Sequence, residues 1–143
     1  MRVREVMTTP VVAVTPAATL GEAIAVLAGK GFTSLPVVDE TGRLLGVLEE
    51  DDVVLACYVP GPRSPSGPDA GVLLGGRTKV RDVMRTPGAG THPDTELADL
   101  AERMLEHRLR SVPVLDHGRV VGVVTWRDLL RARATETSSR DMP

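Results

Sequence analysis

The sequence predicts an α+β fold of two tandem β-α-β-β-α units, packed sheet against sheet with approximate two-fold symmetry. Three observations carry the prediction. First, the chain repeats itself. VREVMTTPVVAVTPAATLGEAIAVLAGKGFTSLPVVD (3–39) aligns without a gap on VRDVMRTPGAGTHPDTELADLAERMLEHRLRSVPVLD (80–116), and 41–56 then continues over 117–132 once one turn residue is omitted. The 18 identities in about 53 columns exceed what chance matching of common residues supplies. Second, both copies pass from helical to strand periodicity at the same place. Third, the 143 residues are 42% apolar and 25% charged, a globular balance. One unit of about 53 residues buries too little surface to be secure alone, so two are expected to pack together.

The elements follow in order. Each copy opens with a short extended segment that ends in a Thr-Pro turn, Thr9-Pro10 or Thr86-Pro87. A helix comes next. Leu20, Ala23, Ile24, Leu27 and Ala28 in the first copy, and Leu97, Leu100, Ala101, Met104 and Leu105 in the second, recur at i, i+3, i+4, i+7 and i+8, the spacing of one buried stripe. Thr19 with Glu22 has the form of a capping box, and Gly29 and Gly31 suit the helix C-terminus. A hairpin follows: Leu35 to Val38, the turn Asp39-Glu40-Thr41-Gly42, then Leu44 to Leu48. Val112 to Leu115, Asp116-His117-Gly118 and Val120 to Val124 repeat it. A second helix starts near Glu50 or Trp126, with Val53, Val54, Ala56 and Cys57 or Leu129 and Leu130 as its apolar residues.

These elements set the expected boundaries: a first unit at 1–57, a linker at 58–79, a second unit at 80–133 and a disordered tail at 134–143. The linker assignment rests on four Pro and five Gly between Tyr58 and Lys79, which forbid a continuous helix or a central strand. Val72-Leu73-Leu74 is expected to dock on the core. The tail TETSSRDMP (135–143) is predominantly polar.

Composition excludes several functions. Aromatic residues are only Phe32, Tyr58 and Trp126, too few for a base-stacking platform. The net charge of −2 gives no drive towards nucleic acid or anionic membranes, and residues 1–56 are themselves at −4. Cys57 stands alone, so no intramolecular disulfide is possible. No apolar run approaches the roughly 18 residues of a membrane helix, and the start lacks a signal core; a cytoplasmic protein is expected. His92, His107 and His117 lack metal-ligand spacing. The glycines form neither a P-loop nor a dinucleotide fingerprint. Ser34 and Ser111 occupy equivalent strand starts, where a nucleophile would not be expected twice. With no catalytic set, the chain reads as a non-enzyme that requires no metal or cofactor.

With VMTTP…P-x-x-T-L, F-T-S-L-P-V-V-D and G-V-L-E-E-D-D in the first copy, and VMRTP, R-S-V-P-V-L-D and G-V-V-T-W-R-D in the second, the chain resembles a tandem pair of CBS domains, the module named after cystathionine β-synthase and also called a Bateman module. The resemblance covers 3–56 and 80–132. It implies a regulatory sensor that binds an adenosine-type ligand (AMP, ADP, ATP or S-adenosylmethionine) between the two copies. It also implies a disc-like homodimer, expected here through the second helices, and an unknown regulated partner protein. The alternative is a structural dimerisation or interaction module with a degenerate, non-binding pocket.

In nucleotide-binding members a G-h-x-[ST]-x-x-D motif supplies an Asp to the ribose hydroxyls and a Ser or Thr to the phosphate. Gly122, Val123, Val124, Thr125, Trp126, Arg127 and Asp128 fit it. An ionised carboxylate accepts hydrogen bonds from both vicinal hydroxyls, and a helix start favours a phosphate. Thr-x-x-Asp is equally a capping box that satisfies backbone donors, and both readings stand at this point. By resemblance the Asp128 pocket takes Pro10, Val11, Val12, Phe32 and Thr33 as its adenine wall, with Arg110, Ser111, Thr125 and Arg127 completing it. In the first copy Asp52 is retained, but Glu49 replaces the Thr within the acidic run Glu49-Glu50-Asp51-Asp52. Carboxylates repel a phosphate, so Glu49 and Asp52 mark a second site that is expected to bind poorly or to be a solvated helix start.

Overall fold

The computed structural model describes residues 1–59 and 78–141, with side chains through 135. Most of the 58–79 linker, Val72-Leu73-Leu74 included, therefore lies outside the described residues. The fold is α+β and contains the duplicated hairpin-and-helix units expected from the repeat.

The chain forms two compact units, and they do not coincide with the sequence repeats. One unit is Val12–Gly88; the other joins Met1–Val11 to the chain from Ala89 onward. Each unit thus combines most of one repeat with the opening segment of the other.

In the Val12–Gly88 unit, helix α1 (Leu20–Lys30) starts at Thr19, whose Oγ1 accepts from the Glu22 N–H at 3.1 Å, and it stops at Gly31 in the left-handed conformation (φ 69°). Strands β1 (Ser34–Val38) and β2 (Leu44–Glu49) pair antiparallel, with Leu35 opposite Leu48 and a register shift between Val37 and Val38. Asp39 closes the turn, accepting from the Thr41 N–H, the Thr41 hydroxyl and the Arg43 N–H. Those bonds, that of the Thr41 hydroxyl foremost, hold the Asp39 carboxyl below the usual carboxylate range. Helix α2 (Glu50–Tyr58) follows β2 directly. Leu20, Ala23, Leu27, Leu35, Val37, Leu48 and Val53 form the core, and Val80 completes it from a 3-10 turn at Val80–Asp82.

The other unit has the same plan. A 3-10 turn at Val3–Glu5 packs Val3 against α3 (Leu97–Glu106), β3 (Ser111–Asp116), β4 (Arg119–Thr125) and α4 (Trp126–Asp141). Its core is Val3, Leu100, Met104, Val112, Val114 and Val124. The predicted stripe ends earlier than expected in both copies. Ala28 and Leu105 are exposed, Leu105 at 65%, because each helix ends before another turn can cover the i+8 position.

Two further expectations are corrected. The opening extended segment of each copy is instead a 3-10 turn followed by a single bridge, Thr8 to Val123 and Arg85 to Val47. The tail is helical well past residue 134, since α4 runs to Asp141. No Gly or Pro occurs between Trp126 and Asp141 to break it.

The outer edge of each hairpin is covered by the exchanged segment. Thr8 and Val123 exchange N–H···O bonds of 2.8 and 3.2 Å; Arg85 and Val47 do so at 2.9 and 3.0 Å. Glycines make room for this approach. A Cβ on Gly46 would stand 2.4 Å from the Arg85 carbonyl oxygen, and one on Gly122 would stand 2.6 Å from the Met7 sulfur. The first obstacle is hydrogen-bonded backbone; the second is a flexible side chain. Gly46→Ala is therefore expected to cost about 2–3 kcal/mol in a urea melt, and Gly122→Ala roughly 1 kcal/mol or less. Equal losses would contradict this account of the two glycines.

Candidate functional site

The Thr-x-x-Asp segment sits where β4 runs into α4. Thr125 ends the strand and Asp128 lies in the first helical turn, 6% exposed. Asp128 Oδ2 accepts from the Thr125 N–H at 2.9 Å and from its hydroxyl at 3.1 Å, while Thr125 Oγ1 accepts from the Asp128 N–H at 3.3 Å. This is the capping box that the sequence left open as one reading. Asp128 Oδ1 accepts from the hydroxyl of Thr8 at 3.0 Å. The two carboxylate oxygens thus differ. Oδ2 is tied into the helix start, and Oδ1 is held by one exposed neutral side chain.

Several predicted residues belong to the same unit. Ser111 faces Thr125 across the β3–β4 pair, and the Arg110 carbonyl accepts from the Trp126 N–H at 3.3 Å. The backbones of Arg110 and Ser111 therefore flank the start of α4. The side chains of Arg110 and Arg127 are exposed. Pro10 and Val11 follow Thr8 on the exchanged segment, Pro10 exposed and Val11 half-buried.

Val12, Phe32 and Thr33 lie in the other unit. Val12 and Phe32 pack against its core, and the Thr33 carbonyl accepts from the Glu50 N–H at 3.0 Å. In that unit Glu49 ends β2 and Asp52 lies in the first turn of α2. Asp52 does not reproduce the Asp128 arrangement. Arg85 donates from Nε to Asp52 Oδ2 at 2.6 Å and from a terminal nitrogen to Oδ1 at 3.1 Å, a bidentate pair. The hydrogen bond and charge of Asp52, aided by Glu49 and Asp51, raise the already high pKa of the Arg85 guanidinium.

Thr8 and Arg85 were absent from the sequence-derived site. They occupy the same column of the repeat, between the identical Val-Met and Thr-Pro pairs. That mismatch in an otherwise matched run was the available signal. It could not be read without knowing that the segment pairs with the other repeat's hairpin.

A separate cavity of about 290 Å³ is lined by Met1, Leu97, Ala101, Leu129 and Ala132 with Glu96, and it includes none of the predicted site residues. Among the described residues, no three His, Cys, Asp or Glu side chains group so as to hold a metal ion, and no helix is long and apolar enough to cross a membrane.

Comparison with known proteins agrees with this architecture. The CBS domain profile matches residues 3–58 and 80–135. The CBS domain-containing protein YhcV of Bacillus subtilis is 31% identical over 127 residues, covering 89% of this chain and 81% of that protein. The structure of CBSX2 in complex with AMP superposes with a TM-score of 0.79 at 25% identity, covering 94% of this chain and 97% of CBSX2, a protein of Arabidopsis thaliana. The CBS domain pair of protein MJ0100, solved with 5-methylthioadenosine and S-adenosyl-L-methionine, gives 0.72 at 25% identity, covering 92% and 98%. With both repeats matched by the family profile and the duplicated fold in place, the chain belongs to the CBS-domain family.

Proposed function

We propose that this chain is a non-catalytic regulatory module of the cytoplasm that binds an adenosine-type ligand at Asp128 and modulates a partner protein. The observation that carries this reading is the asymmetric Asp128 carboxylate. A ribose can take Oδ1 by displacing the exposed Thr8 hydroxyl, while Oδ2 keeps the helix start capped. Thr125 and Arg127 at the start of α4 supply a hydroxyl, a charge and the helix dipole for a phosphate. Pro10 and Val11 offer apolar surface in the same unit. CBSX2 with AMP and the MJ0100 pair with S-adenosyl-L-methionine support the ligand class.

One observation favours the scaffold reading: Asp128 already accepts three hydrogen bonds without a ligand. A thermal-shift and calorimetry panel of AMP, ADP, ATP and S-adenosylmethionine decides between the two. A ligand that binds only the folded state raises the melting midpoint. A rise with at least one of the four is the expected result, and no rise with any would leave the scaffold.

The module is further proposed to be a homodimer through α2 and α4. Val54 and Leu55 are each 54% exposed and Leu130 is 71% exposed, whereas their neighbours Val53 and Leu129 turn inward. Light scattering is expected to give a dimer, and Leu130→Asp a monomer that keeps its melting cooperativity. A wild-type monomer at high micromolar concentration would exclude this assembly.

A further inference from the structure

We infer that Arg85 closes the Asp52 position to ribose, so that one residue outside the recognised motif limits the chain to a single nucleoside site. The inference rests on the reading that an Asp at this place in the unit takes ribose hydroxyls.

The two units present the same three positions with different chemistry. At the open position, Asp128 meets Thr125 and Thr8, both neutral hydroxyls. At the closed one, Asp52 follows Glu49 and meets Arg85. The backbone setting is shared, because Thr8 and Arg85 each exchange two hydrogen bonds with the neighbouring strand, at Val123 and Val47. The side chain alone therefore differs. Thr8 contacts one carboxylate oxygen and leaves the other to the cap. Arg85 contacts both oxygens through its planar fork, cannot lose its charge, and is tethered by its own paired backbone. A ribose hydroxyl is a neutral donor. To reach Asp52 it must displace two charge-assisted hydrogen bonds and leave the guanidinium and the carboxylate separated.

The acidic run alone does not account for closure. Glu49 opposes a phosphate but not an uncharged nucleoside, whereas Arg85 opposes the ribose of either ligand by occupying the Asp52 carboxylate. Removing Arg85 is accordingly expected to admit adenosine at Asp52, and AMP only when Glu49 is also replaced.

Calorimetry with adenosine and AMP tests this on the full chain. Arg85→Thr, which copies Thr8, is expected to bind one more adenosine per chain than the wild type, with at least a tenfold gain at the new site. Asp52→Ala in the Arg85→Thr background should abolish that gain. Glu49→Thr with Arg85→Thr, which rebuilds the Thr125–Asp128–Thr8 trio, should extend it to AMP. Removing Arg85 leaves Asp52 without the guanidinium that it pairs with, so each variant is melted first, and Arg85→Gln replaces any that is unfolded. A wild type that binds nothing at Asp128 would overturn the proposed function, and the gain in the variants would still decide the role of Arg85. Folded variants that gain no adenosine, or a wild type that already binds a second equivalent sensitive to Asp52→Ala, would overturn the closure.

Discussion

Replacing Asp128 by alanine is expected to lower affinity for an adenosine ligand about thirty- to a thousand-fold. The substitution removes a carboxylate that accepts from ribose, and two charge-assisted hydrogen bonds are worth roughly 2–4 kcal/mol. The same carboxylate caps α4 and holds Thr8, so the unliganded protein should also lose about 1–2 kcal/mol of stability. The two effects separate cleanly: the ligand-free melt reads the cap, and titration of protein shown to be folded reads the ribose contact. Asp128→Asn sharpens the comparison, since it keeps an acceptor for the helix start while removing the charge. Asp52→Ala is expected to change ligand affinity by less than about threefold, because Arg85 already engages that carboxylate. Equal losses from Asp52→Ala and Asp128→Ala would refute the asymmetry between the two copies.

Cutting the chain between Tyr58 and Lys79 is expected to leave both pieces in one particle, and either piece expressed alone is expected to be largely unfolded. The reason lies in the composition of the compact units. The piece ending at Tyr58 lacks Val80, which is fully buried among Leu20, Leu35 and Leu48, and lacks Val83 and Met84 packed around it. It also loses backbone partners for Ala18, Leu20 and Val47. The piece starting at Lys79 lacks Val3 and Met7 from the core around Met104. A fully buried valine alone is worth about 1.5–3 kcal/mol. With the partly buried neighbours and the edge hydrogen bonds the loss reaches about 5 kcal/mol per piece, comparable to the whole stability of a small domain. Size-exclusion chromatography of the nicked protein and circular dichroism of each fragment check the prediction. Two folded fragments that do not associate would contradict it.

Much of this architecture was legible in the sequence because it is written in local periodicity. The helices α1 and α3, both hairpins and the Thr19 cap follow from spacing and turn chemistry acting over a few residues. Asp128 was found because a short motif places it at a strand-to-helix junction. What escaped is long-range. The destination of VREVM and VRDVM depends on which hairpin edge each segment reaches, and the two candidate edges, RLLGVLE and RVVGVVT, share the same apolar pattern around a Gly-Val pair. Thr8 and Arg85 escaped for the same reason, since their partners lie 120 and 33 residues away. Polarity alone does not distinguish a disordered tail from a solvated helix, and α4 continues to Asp141 through a segment with no helix breaker.

The exchange of opening segments also bears on how such a chain could arise. A polypeptide carrying a single repeat would have an uncovered hairpin edge and a missing core valine, together with an opening segment suited to another hairpin. Its shortest route to a complete unit is to trade that segment with a second molecule, which is a domain-swapped dimer whose folding depends on concentration. Joining the two copies in one polypeptide makes the trade intramolecular, at an effective concentration fixed by the connecting chain. Duplication thereby turns a bimolecular folding problem into a unimolecular one. It also frees the two copies to diverge, because each needs to fit only one fixed neighbour and no longer a replica of itself. The difference between Thr8 and Arg85 is a divergence that this freedom permits.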